Sequence, residues 1–176
     1  MIVFRDGREL SRFLGSVIAP GETVVVGLGS ELRCDDGFGV YVASALSNVV
    51  SRYSRRNCVE VVNAGTAPEA YLDILSSRRV VVLVDAVLAE PEPPAIVVLR
   101  KEEVPPQGIS LSTHSLDLRL LLDLVGGEVY LVGTRPQCLE LNLGVTKPVA
   151  RAIREVVVAF LEALRSLRCI KLFKDP

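Results

Sequence analysis

The chain has 176 residues, of which 49% are hydrophobic, and its 20 basic and 21 acidic side chains leave a formal net charge of −1. High apolar content with almost no net charge excludes intrinsic disorder, and it also excludes nucleic-acid or membrane binding driven by bulk positive charge. Because no apolar run reaches the roughly 18 residues of a membrane span and no signal-peptide core is present, we expect one cytoplasmic, monomeric domain over residues 1–176.

Short apolar runs rich in β-branched residues alternate with amphipathic segments along the chain. Strands are predicted at 23–29, 59–63, 80–85, 95–99 and 128–133, and helices at 39–46, 67–75, 116–125 and from residue 149 onward. Nearly unbroken apolar runs such as 80–84 are typical of parallel strands that are covered on both faces. This alternation predicts a three-layer α/β fold, with a doubly wound, mostly parallel sheet of about five strands and helices on both faces.

The four cysteines, Cys34, Cys58, Cys138 and Cys169, show no close pairing of the CxxC type. Their spacing therefore supports neither a zinc ribbon nor a thioredoxin-type site. Because no export signal is present, we expect free thiols that pack as small apolar residues.

Ligands of open α/β sheets bind beyond the carboxyl ends of the strands, so polar residues at those ends are the candidates for chemistry. The first such segment, residues 27–39, reads GLGSELRCDDGFG. A dinucleotide-binding fingerprint would need glycine at Leu32 and an acid at Asn63, where the second strand ends. We therefore interpret the glycines as residues that allow a tight turn and not as nucleotide ligands.

Three carboxylates and one imidazole fall at these strand ends. Asp35 and Asp36 precede a predicted helix, where helix capping is the alternative to a metal site. Asp85 ends a buried strand, and a buried carboxylate is costly unless it is paired, coordinated or caps the next turn. His114 is the single histidine of the chain. Single histidines are often structural, but one imidazole and two carboxylates also make a three-ligand metal site, which we predict from Asp36, Asp85 and His114.

Four segments resemble the motifs of the hydrogenase maturation proteases, the nickel-dependent endopeptidases that process the large subunit of [NiFe] hydrogenases. GLGSELRCDDGFG resembles the opening motif of the family. VVLVDAV at 81–87 is similar to the second motif, a strand that ends in D-A-V or D-A-I. LSTHSLDLRLLL at 111–122 resembles the third motif, a Ser/Thr-x-His segment that opens a helix. VYLVGTRPQ and LGVTKPV are similar to the late strand and the start of the final helix. The resemblance runs from about residue 23 to residue 165.

The resemblance implies an endopeptidase that binds the precursor of a hydrogenase large subunit already loaded with nickel and removes a short C-terminal extension. It places the two metal-binding acids of the family on Asp36 and Asp85 and the histidine on His114. Both acids then have a catalytic role, as a general base or in metal-assisted hydrolysis. Nickel would arrive within the substrate, and other divalent metals would fit the same ligands in vitro.

The chain departs from the family pattern at three places. Cys34 stands where glycine is usual, Ser30 where asparagine is common, and residues 88–90, Leu-Ala-Glu, replace a D-x-G sequence. The first two lie near the expected site and could alter the geometry of its loop. None of the three removes a candidate ligand.

Two other functions stay open from the sequence. A receiver-like signalling module would use an acid pair after the first strand and a phosphoacceptor aspartate at the end of the third, as Asp35, Asp36 and Asp85 would provide. Receivers have lysine before the proline of the last strand, whereas Arg135 precedes Pro136 here. A nickel-binding chaperone that recognises the precursor without cutting it would need the same ligands as the protease.

Overall fold

The computed structural model describes residues 1–54, 58–105 and 118–171. These residues form one mixed sheet of six strands, β1 (Ile2–Phe4), β2 (Thr23–Leu28), β3 (Glu60–Gly65), β4 (Val80–Ala86), β5 (Ile96–Arg100) and β6 (Glu128–Thr134). The order across the sheet is β1-β5-β6-β4-β2-β3. Strands β6, β4, β2 and β3 are parallel, whereas β5 is antiparallel to both β6 and β1.

The predicted α/β architecture is confirmed, and all five predicted strands are present. Strand β5 departs from the parallel arrangement because the connection from β4, residues 87–95, is shorter than the dozen or more residues of a parallel crossover. Strand β1 was not predicted, because three residues are too few to show an alternating pattern.

Helices cover both faces of the sheet. They are α1 (Gly7–Val17), α2 (Phe38–Tyr53), α3 (Leu72–Ser77), α4 (Leu118–Leu124) and α5 (Lys147–Ser166). Each predicted helix has a counterpart, although the predicted start of the third at residue 116 lies outside the described residues. The sequence analysis missed α1, whose N-cap Asp6 accepts a hydrogen bond from Arg8 N at 2.8 Å. No helix in the described part of the chain is both long and apolar enough to cross a membrane.

Alternation along β4 shows how the two faces are built. Val82 and Val84 pack in the cluster that α1, α2 and α5 cover, and Val81 and Leu83 pack in the cluster that α3 and α4 cover. Successive side chains of a strand point to opposite faces, so Asp85 lies on the face covered by α3 and α4.

The expectation of free thiols is wrong. Cys34 is bonded to Cys138 and Cys58 to Cys169, with Cα–Cα distances of 5.7 and 5.5 Å. The partners are 104 and 111 residues apart in the chain. Only the fold brings the partners together. The spacing of the cysteines along the sequence therefore could not predict either disulfide.

Candidate functional site

The turn that carries the acid pair follows the carboxyl end of β2. The chain passes through Gly29, whose φ is 116°, and reaches a 3-10 turn at Cys34–Gly37, which we call the site turn. A Cβ atom at Gly29 would overlap the carbonyl oxygen of Asp36. Glycine is therefore required both for the backbone conformation and for the close approach, as the sequence predicted for a tight turn.

Asp36 is buried in the site turn, with 1% of its surface exposed. Its Oδ2 atom accepts a hydrogen bond from the Ser30 backbone N–H at 2.8 Å, which ties the carboxylate to the segment that leaves β2. The N-cap residue of α2 is Gly37, and no side chain caps that helix. An N-cap role for the acid pair is therefore wrong, although both acids lie in the first turn of the 3-10 helix that precedes α2.

Asp85 lies at the carboxyl end of β4, between β2 and β6, and is equally buried. Its Oδ1 atom accepts a hydrogen bond at 2.8 Å from the backbone N–H of Ala86, the last residue of β4, which orients the carboxylate at the strand end. A Cβ atom at Gly39 would overlap the Val84 carbonyl oxygen. The start of α2 thus packs directly on the ends of the strands, and the site turn contacts β4. The structure therefore brings Asp36 and Asp85 to the same edge of the sheet.

The third predicted ligand, His114, lies outside the described residues, so the three-ligand site stays a prediction. Within residues 1–54, 58–105 and 118–171, no group of three side chains is placed to hold a metal. Helix α4 begins at Leu118, four residues after His114, and covers the face on which Asp85 lies. The two buried carboxylates could supply oxygen ligands for a divalent ion.

Asp35 makes a second set of contacts that the sequence analysis missed. Its side chain is fully buried, and its carboxylate accepts four hydrogen bonds. The donors are Gln137 N at 2.9 Å, Cys138 N at 3.0 Å, Thr146 N at 2.7 Å and Thr146 Oγ1 at 3.0 Å. All of them belong to residues 137–146, which we call the brace. No local pattern could have indicated this role, because the donors lie more than 100 residues downstream.

The brace is joined to the site turn by the backbone and by a covalent bond. Cys34 N donates to Asn142 O at 2.9 Å, and Asp35 N donates to Cys138 O at 3.1 Å. The Cys34–Cys138 disulfide links the same two segments. Cys34 has a φ of 53°, in the left-handed region that favours glycine. The backbone thus has a shape suited to the glycine that is usual in the family pattern, while the cysteine side chain ties the turn to the brace.

An open groove of about 390 Å³ begins beside the buried acids. It is lined by residues 29–32, Val40, residues 63–66 and Leu143, and so extends over the ends of β2 and β3. Leu32 and Leu143 are 63% and 74% exposed at its rim. The groove reaches Ser30, whose backbone N–H donates to the Asp36 carboxylate.

Known proteins resemble the chain in both sequence and structure. A family model described as hydrogenase maturation protease (HycI) matches residues 40–163. The Hydrogenase 2 maturation protease of Escherichia coli is 32% identical over 150 residues, which are 81% of this chain and 90% of that protein.

Two solved structures have the same fold. One is a crystal structure of a [NiFe] hydrogenase maturation protease, HycI, from Thermococcus kodakarensis, with a TM-score of 0.67 and 26% identity over 86% of this chain and 96% of that chain. The other is the hydrogenase maturating endopeptidase HybD from E. coli, with a TM-score of 0.63 and 28% identity over 83% and 93% of the two chains. These matches confirm the resemblance seen in the motifs and favour a protease over the receiver-like alternative.

Proposed function

Because the chain belongs to the hydrogenase maturation protease family, we propose that it removes a C-terminal extension from the nickel-loaded precursor of a [NiFe] hydrogenase large subunit. The observation that carries the proposal is the pair of buried carboxylates at the carboxyl edge of the sheet, Asp36 in the site turn that follows β2 and Asp85 at the end of the adjacent parallel strand β4. Two buried carboxylates at one edge of the sheet, each oriented by a backbone N–H, form a candidate for acid–base chemistry or metal binding.

The nickel ion of the precursor is the cation that the two carboxylates would face. Asp36 and Asp85 offer oxygen ligands, and His114 would add an imidazole nitrogen, which suits nickel and several other divalent metals. Because Asp36 is held by Ser30 N and Asp85 by Ala86 N, both side chains are oriented before the substrate arrives. Recognition of the bound ion would make cleavage depend on prior nickel insertion.

Hydrolysis of the peptide bond needs a base and a proton donor. One of the two carboxylates takes a proton from water while the water oxygen bonds to the scissile carbonyl carbon. The carbon–nitrogen bond then breaks, and the same proton passes to the leaving nitrogen. The groove over the ends of β2 and β3 would hold the chain on one side of the scissile bond in an extended form.

The test is cleavage of a purified, nickel-loaded precursor, followed by mass spectrometry of its C-terminus. We expect a shortened product with the wild-type chain and no product from the nickel-free precursor. Asp36→Asn and Asp85→Asn should each lower the rate about 100-fold or more, since a positioned acid–base group contributes that much to catalysis. His114→Ala should lower it to a similar extent, because it removes one of the three proposed nickel ligands.

Asp123→Asn is the matched control, because Asp123 is exposed near the end of α4. This variant should cleave at the wild-type rate. Tight binding of the precursor without any change of its mass would instead identify a chaperone. Full activity of Asp36→Asn and Asp85→Asn would contradict the assigned roles.

A further inference from the structure

The contacts between the site turn and the brace involve none of the three residues that would face the substrate. From them we infer that Asp35 is a positioning residue. Together with the Cys34–Cys138 disulfide, it fixes the site turn on the brace and so holds Asp36 in the orientation that cleavage requires. The inference rests on the proposed function, because it takes Asp36 as the residue to be positioned.

The chemistry of Asp35 suits this role. An ionised carboxylate only accepts hydrogen bonds, and all four bonds come from donors of the brace. The donors lie at both ends of the brace, at residues 137–138 and at Thr146, so one side chain fixes both ends. Asparagine has the same shape, but its NH2 group would replace one oxygen. With the amide oxygen at the Oδ2 position, the NH2 group would face the Thr146 N–H, and the bond that Oδ1 accepts there would be lost.

Asp36 lies between two fixed points. On one side, Asp35 and Cys34 are held by the brace. On the other side, the Asp36 carboxylate accepts the bond from Ser30 N at 2.8 Å. A shift of the site turn away from the brace would therefore move Asp36 relative to Ser30, and the Ser30 amide proton reports that shift directly.

The two disulfides provide a matched comparison. Cys34–Cys138 lies at the site, whereas Cys58–Cys169 lies near the opposite edge of the sheet, where Cys58 O accepts a bond from Gly21 N. They span 104 and 111 residues, so the stabilisation expected from loop closure is nearly the same for both. Only the first bond should affect Asp36.

The first measurement is amide hydrogen exchange, which does not require activity. In Asp35→Asn, exchange of the Ser30 amide should become about tenfold faster or more, while the Gly21 amide exchanges as in the wild type. Thr146→Ala removes one of the four donors and should give a smaller change in the same direction. This milder variant tests the inference if Asp35→Asn does not fold.

The second measurement is the kinetics of precursor cleavage. For Asp35→Asn we expect kcat to fall about 100-fold with KM little changed, because a small misplacement of a reacting group has that effect on the chemical step. Glu22→Gln, a change of an exposed acid at the other edge, should alter neither constant.

The third measurement compares paired cysteine variants. Cys34→Gly/Cys138→Ser removes the bond at the site and places glycine where φ is 53°. Cys58→Ser/Cys169→Ser removes the other bond. Both should lower Tm to a similar extent, but only the first should raise Ser30 exchange and lower kcat. An equal loss of kcat in both would show a general effect of stability and overturn the inference.

In folded Asp35→Asn, unchanged Ser30 exchange together with unchanged kcat would also overturn the inference. If Asp35→Asn is unfolded, the same two results in Thr146→Ala would overturn it. Failure of the proposed function would look different. In that case the wild-type chain leaves the nickel-loaded precursor uncut, while the exchange measurements still decide whether Asp35 holds Asp36.

Discussion

The two edges of the parallel strands hold their charged residues in opposite ways. At the amino edge, Arg79 pairs with Glu22 and Arg78 with Glu60, each at 2.5 Å. The side chains of the first pair are 58% and 57% exposed. At the carboxyl edge, three carboxylates are at most 1% exposed and accept hydrogen bonds from backbone N–H groups, namely Asp35, Asp36 and Asp85.

This difference separates charges that solvent surrounds from charges that depend on hydrogen bonds within the fold. Exposed ion pairs contribute about 0–1 kcal/mol and can be lost at little cost. A buried carboxylate that loses its donors, or donors that lose their carboxylate, cost several times more. The carboxyl edge is therefore where substitutions should have large effects on both stability and activity.

The largest effect is expected where α2 meets the strand ends. In Gly39→Ala the new Cβ would overlap the Val84 carbonyl oxygen and lie 2.5 Å from Leu28 O, so the helix must move. We expect a loss of about 3 kcal/mol or more in the free energy of unfolding, measured by guanidinium denaturation. Gly126→Ala, near the amino edge with no atom within 4 Å of the new Cβ, should stay within about 0.5 kcal/mol of the wild type.

A direct comparison of acids comes next. Asp35→Ala removes a buried carboxylate that accepts four hydrogen bonds from the brace, and it should lower the free energy of unfolding by about 3 kcal/mol. Glu22→Ala breaks only an exposed pair, and its cost should lie between about 0 and 1 kcal/mol. Equal costs in denaturant titrations would mean that the two edges do not differ as described.

Neutral polar groups test whether charge is the reason for the difference. Thr134 at the carboxyl edge donates to Ala95 O at 2.9 Å. Thr23 at the amino edge accepts from Ala19 N at 2.8 Å and donates to Ala19 O at 2.9 Å, and both threonines are buried. Thr134→Val should cost about 1 kcal/mol and Thr23→Val, which loses two bonds, about 2 kcal/mol. A similar cost per lost hydrogen bond, measured by guanidinium denaturation, would confine the contrast between the edges to charged residues.

The smallest effect is expected from Glu103, an exposed acid that follows β5. A hydrogen bond from Arg100 N, and then the bond from the amino group of Met1, lower the pKa of its carboxyl from the ordinary value of 4.5. Its contribution to stability is therefore complete above that value and is lost as the pH falls through the lowered pKa. The Tm of Glu103→Gln should lie slightly below that of the wild type at neutral pH and converge with it in acid. A difference that persists in strong acid would contradict the assignment.

More of the fold than of the candidate site could be predicted from the sequence. Continuous apolar runs at β2 and β4 predicted buried parallel strands, and the position of Asp85 at a strand end followed from the same pattern. The motif at residues 27–39 likewise indicated Asp36 as a candidate site residue. The role of Asp35 and the pairing of Cys34 with Cys138 could not be predicted, because both depend on contacts between segments about 100 residues apart. Local patterns report which face a residue occupies, and they do not report which distant segment meets it.

Both disulfides connect the same two parts of the chain, since Cys34 and Cys58 precede Cys138 and Cys169. Any backbone break between residues 59 and 137 therefore lies inside both covalent rings. The two fragments would remain one molecule, joined twice, and would migrate as such in electrophoresis until a reducing agent is added.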